Sequence, residues 1–148
     1  MQNLTCPIDQ NALEDSKTSG EQSAKCRVCE GVWLTLDALE SMEDRASRQD
    51  MVKGQRQYGK QAVQHLCPHC QEHMIRFRYR GYKLELEACP NQAGFWLDKR
   101  EDREIRDVMK KRGTNLGRSA SAERIWGDAK RGKRPGILQR LKELLGLR

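Results

Sequence analysis

Six cysteines, spaced alike in two groups, constrain this chain more than any other feature of its sequence. Cys6, Cys26 and Cys29 form the first group, and Cys67, Cys70 and Cys89 the second. Laying one half on the other places Cys6-Pro7-Ile8-Asp9 over Cys67-Pro68-His69-Cys70, and Cys26 to Trp33 over Cys89 to Trp96. The interval between the two turns of each copy is nearly conserved, and a tryptophan follows the second turn at the same distance in both. An internal repeat of this kind predicts two copies of one supersecondary unit.

Only 36% of the 148 residues are hydrophobic and 5% aromatic, while 33% are charged, which is thin for one large core. Small units stapled by metal would supply the missing stability. Tight turns carrying C-x-x-C place two thiolates on one side, and two such turns complete a zinc tetrahedron. The first copy offers Cys6, Asp9, Cys26 and Cys29, a complete set because a carboxylate also ligates zinc. The second offers Cys67, Cys70 and Cys89, with Gln92 where a fourth ligand would stand; a neutral amide is a poor zinc ligand. Three solutions are open there: His73 or His65 supplies the fourth donor, water does, or zinc is absent and packing around Phe95 and Trp96 holds the turn. Three thiolates also make zinc a weak Lewis acid, and no general-base constellation accompanies them, so the chain reads as a non-enzyme.

Between the ligand turns of the second copy, Ile75, Phe77 and Tyr79 alternate with Arg76, Arg78 and Arg80, and Leu84 and Leu86 alternate with Lys83, Glu85 and Glu87. This predicts a hairpin turning near Gly81. The strand "RFRYR" reads either as an aromatic and basic RNA-binding strand or, with more weight, as a core face with Arg-to-Glu cross-strand pairs. Residues 13–25 are polar, so a weaker hairpin is expected in the first copy. A helix should follow each Trp-Leu: Thr35, or Asp37 with Glu40, caps the first, and Asp98 with Glu101 the second. Leu36, Leu39 and Met42 give the first an apolar edge, as Ile105, Val108 and Met109 do the second.

The expected architecture is small α+β and metal-stapled: two zinc-ribbon β-hairpin units each followed by an α-helix, then a basic C-terminal tail ending in an amphipathic helix. In residues, 1–45 is the first ribbon and helix, 46–64 a polar helical linker, and 65–112 the second, degenerate ribbon and helix. Residues 113–135 are a basic flexible tail and 136–148 an amphipathic docking helix with Ile137, Leu138, Leu141, Leu144 and Leu145 on one face.

The pieces "CPID" with "CRVCEGVWL", and "CPHC" with "CPNQAGFWLD", resemble the TFIIB-type zinc ribbon family of small bacterial proteins. The resemblance covers about residues 4–45 and 65–112. It implies paired zinc ribbons, each followed by a helix, and a loosely transcription-linked role, with Zn2+ expected in one site and open in the second.

A net charge of +7 favours nucleic acid, anionic lipid or an acidic protein surface. The amino terminus has no basic, apolar leader and no window reaches the length of a membrane span, so a cytoplasmic protein is expected. The reading that follows is a non-enzymatic adaptor docking on a larger protein or protein complex through its ribbon surfaces and C-terminal helix. RNA or DNA binding through the basic hairpin and tail is the alternative, and a membrane surface is a third target for the terminal helix. The sequence leaves the oligomeric state unspecified.

Overall fold

The computed structural model describes residues 3–47 and 55–115. Strands β1 (Glu14–Thr18), β2 (Glu21–Lys25) and β3 (Val32–Thr35) lead into helix α1 (Leu36–Ala46). After it come β4 (Gln57–Leu66), β5 (His73–Tyr79), β6 (Glu85–Ala88) and β7 (Gly94–Leu97). A second helix, α2, covers residues 101–115.

The strands form one antiparallel sheet in the order β1-β2-β3-β7-β6-β5-β4. This corrects the expectation of two ribbon units each followed by its own helix. The two copies are fused into a single, mostly β structure along the β3–β7 pair, where Trp33 faces Trp96, Leu34 faces Phe95 and Val32 faces Leu97. Each copy alone would leave a four-residue apolar strand as an open edge. Pairing the two equivalent strands removes both edges at once and relates the copies by an approximate twofold rotation.

Because side chains alternate along a strand, the seam builds a core on each face of the sheet. On one face Val32, Leu34, Phe95 and Leu97 join Leu39 and Met42 of α1 and Ile105, Val108 and Met109 of α2. Phe77 meets Phe95 edge-on there, with ring centroids 6.0 Å apart. On the other face Trp33, Trp96 and Met74 form a second core with the cysteines. The approximate symmetry extends to glycines. A Cβ on Gly31 would lie 2.2 Å from Cζ2 of Trp96, and one on Gly94 would lie 2.2 Å from the Leu34 carbonyl oxygen and 2.9 Å from Cζ2 of Trp33.

Local chemistry explains the elements. Ser19 and Gly20, both at positive φ, close the β1–β2 hairpin, a geometry matched to the twist of paired strands. The polar first hairpin therefore forms fully, with Thr18 Oγ1 and Ser23 Oγ 2.8 Å apart across it. Thr35 caps α1, its hydroxyl accepting the Ala38 N–H at 3.2 Å, so the registration through Asp37 is not used. Before α2, the Asp98 N–H donates to Glu101 Oε2 at 2.7 Å.

Two further expectations change. Residues 57–64, read as part of a polar helical linker, belong instead to the strand β4, which pairs antiparallel with β5. Its polarity reflects an edge position with most side chains in water, and its register shifts around Gly59, at positive φ. Glu43, in the third turn of α1, is wholly buried. It accepts from Arg80 Nη2 at 2.6 Å and Arg56 Nε at 2.9 Å, and the Tyr79 hydroxyl donates to it as well, tying α1 to the β4–β5 hairpin. The second helix, expected to end by residue 112, continues through 115, with Gly113 buried against Ser47. Most of the tail and the docking helix, residues 116–148, lie outside the described residues. No helix among those described is long and apolar enough to cross a membrane.

Candidate metal centres

Each ligand turn is built by backbone before it is used by side chains. In the first copy Cys6 N–H donates to the Asn11 carbonyl and Gln10 N–H to the Cys6 carbonyl, while Cys26 N–H donates to Gly31 and Glu30 N–H to Cys26. Gln10 and Glu30 take the positive φ that such a tight reversal requires. The side chains at the first and fourth positions of both turns then point at one another. Cys6, Asp9, Cys26 and Cys29 place one ligand atom each within 4.8 Å of all the others.

The spacing suits a four-coordinate ion. Zinc with sulfur at about 2.3 Å and oxygen at about 2.0 Å spans sulfur–sulfur edges of about 3.8 Å and sulfur–oxygen edges of about 3.5 Å. The Cys6 and Cys29 sulfurs are 3.6 Å apart, and Cys26 Sγ lies 3.2 Å from Asp9 Oδ2. The cysteines are free thiols, the separation being far beyond a disulfide bond of about 2.05 Å. The Ile8 amide points at Cys6 Sγ from 3.4 Å and the Gly31 amide at Cys29 Sγ from 3.4 Å, donors that stabilise sulfur carrying negative charge. The Asn11 N–H, donating to Asp9 Oδ1 at 3.1 Å, holds that carboxyl below its usual range and so in the ligating, ionised form.

In the second copy Cys67, Cys70 and Cys89 converge in the same way, with Cys70 and Cys89 sulfurs 3.6 Å apart. The residues proposed to complete this set are not brought into it. His65 Nδ1 lies 3.0 Å from the Glu87 carboxylate, and His73 Nδ1 lies 3.1 Å from the Val63 carbonyl oxygen. Gln92 is exposed. Both groups could hold a metal ion, the first with four donors and the second with three.

Burial pushes the Cys6 and Cys67 thiols from the usual 9.0 up to about 12. A buried thiolate is costly until a cation compensates it, so metal entry into either group must expel protons. At Cys70 the upward effect of burial is outweighed by the Glu72 amide and the Cys89 thiol, and its pKa falls below the ordinary value.

The strand "RFRYR" resolves into core and ion pairs. Phe77 and Tyr79 are buried, Arg76 Nη2 meets Glu87 Oε1 at 3.0 Å, and Arg78 faces Glu85 across the β5–β6 ladder. One feature escaped the sequence reading: the third residue of each ligand turn stands at its tip. Ile8 and Val28 crown the first centre at 46% and 69% exposure, whereas the second presents His69 and Asn91. Composition within the two turns, apolar in one copy and polar in the other, was the available signal.

No family model matches the chain, and no curated protein or solved structure matches it. The likeness to TFIIB-type ribbons rests on the motif residues alone.

Proposed function

We propose that this protein is a non-enzymatic, zinc-stapled adaptor that presents the apolar tips of its first metal centre to a partner protein. Zinc is held by Cys6, Asp9, Cys26 and Cys29; four protein donors leave no coordination position for a substrate, which supports a structural role. The observation that carries the adaptor reading is the exposure of Ile8 and Val28 on the two turns that converge on that centre. Large apolar side chains held in water on turns pinned by metal are pre-organised contact points, binding with little further loss of conformational freedom. The nucleic-acid alternative finds less support, because the aromatic residues of β5 face the core and cannot stack on bases.

The test is a pair of substitutions, Ile8→Asp with Val28→Asp, in the full-length chain. Cross-linking in native cells should capture a partner with the wild type and lose it with the variant, while zinc content and the circular dichroism spectrum stay unchanged. Capture of nucleic acid by both proteins, weakening steeply with salt, would overturn the adaptor reading in favour of electrostatic binding.

A further inference from the structure

We propose that the second centre completes its metal coordination with a thiolate that comes from outside the chain. The inference rests on the reading that both cysteine groups hold zinc or a zinc-like ion.

The fourth ligand turn differs from the other three in its backbone. It is closed in the same way as its counterpart, Cys89 N–H donating to the Gly94 carbonyl at 2.9 Å as Cys26 N–H does to Gly31. In the counterpart, however, the positive φ falls on Glu30, one residue beyond the ligand Cys29; here it falls on Gln92, the ligand position itself. The Gln92 N–H donates to the Cys89 carbonyl, three residues back, and the side chain stands exposed. As it stands, this turn directs three sulfurs and no fourth donor to the centre.

The chain has no further thiol or imidazole to offer. It contains six cysteines and three histidines, and every one lies among the described residues. Three cysteines belong to each centre. His65 and His73 direct Nδ1 at Glu87 and at the Val63 carbonyl, and His69 is exposed and outside the group. The opening faces water: Cys70 is half-buried, and His69, Gln71, Asn91 and Gln92 around it are exposed. Charge points to an anion, because Asp9 gives the first centre a fourth negative donor that the second lacks. Softness points to sulfur, since three thiolates favour a thiophilic ion. In the exchange, an incoming thiol releases its proton to solvent, its sulfur forms a bond to the metal, and the water held there leaves. The metal keeps its oxidation state throughout. A small thiol and a cysteine of another protein offer the same chemistry.

The experiment uses the full chain loaded with Co2+, whose ligand-field bands report its donors. Two equivalents should bind. Added reduced glutathione should shift the bands of one equivalent towards those of a four-sulfur site, and should slow its removal by a chelator. The gain should be at least about tenfold, the lower end of what loss of an outer-sphere partner alone costs a metal site. Gln92→Cys should lessen the dependence on glutathione. A cysteine-bearing peptide at equal thiol concentration separates the sources: an equal response makes the small thiol sufficient, and a stronger one assigns a protein cysteine. Bands indifferent to thiol, or shifted by imidazole instead, overturn the inference while leaving the metal reading intact. Binding of only one equivalent, at the first centre, overturns the metal reading of the second group and the inference with it.

Discussion

Gly31 and Gly94 set the closest contacts along the seam. A methyl group on Gly94 would collide with the Leu34 carbonyl, and one on Gly31 with the buried ring of Trp96; neither neighbour can swing aside as a surface side chain could. Gly94→Ala and Gly31→Ala should each lower the free energy of unfolding by about 1–3 kcal/mol in urea titrations, the usual range for overpacking. Glu101 invites a test by pH. Burial raises its pKa from 4.5 to about 8, with Asp98 and Glu104 nearby adding to the effect. A carboxyl raised in the folded state contributes stability that is complete below pH 4.5 and lost as pH climbs through about 8. Glu101→Gln keeps an acceptor for the Asp98 N–H without a charge, so its melting temperature should exceed that of the wild type at pH 9 and match it more closely at pH 5. Residue identity made the two cysteine clusters legible in advance, since thiols at C-x-x-C spacing fall on one side of a tight turn. It could not reveal Glu43, because a buried carboxylate depends on Arg80 and Arg56, which are distant in sequence and give no local periodicity.

At the scale of elements, the hairpin β5–β6 and both helices were readable from alternation and apolar spacing, as at Phe77, Tyr79 and Leu86 or Ile105, Val108 and Met109. Strand β4 was not, because an edge strand with most side chains in water shows no two-residue pattern. Its place is secured partly by the buried cluster of Glu43 with Arg56, Tyr79 and Arg80. Removing Arg80 takes away the fully buried cation and leaves the Glu43 carboxylate in the core with only the partly exposed Arg56 opposite it. Arg80→Met should therefore cost about 3–5 kcal/mol by denaturant unfolding, while adding Glu43→Leu to it should recover much of the loss. Recovery would separate the price of an orphaned charge from any need for the ion pair itself.

For the whole molecule, a single continuous sheet predicts a single transition. Chelation that empties the first centre should loosen both halves together, seen as loss of the near-ultraviolet signal of Trp33 and Trp96 in one step. The thiols supply a pH signature of the metal-free state. With Cys6 and Cys67 raised from 9.0 to about 12, the metal-free fold is favoured below pH 9 and loses that contribution as pH rises towards 12. The metal-loaded protein, its thiols already deprotonated, should show much less of this decline in thermal melts. The repeat was visible in the chain, yet the seam was not, because equivalent strands pairing across a rotation leave no signature in either copy alone.

Among the described residues β4 has no counterpart in the first copy, so the rotation relates three strands of each copy and leaves this one over. Among the described strands the second copy is thereby flanked on both sides, by β3 and β4, whereas the first ends at β1, a five-residue margin of Glu14, Asp15, Ser16, Lys17 and Thr18. Redundancy is unevenly distributed between duplicated halves. Where an additional strand already secures the backbone, a turn depends less on a fourth donor, and Gln92, which stands outside the donor group, belongs to that half. Substitutions at Asp9 enjoy no such shelter, so drift of the metal ligands should be freer in the second copy than in the first.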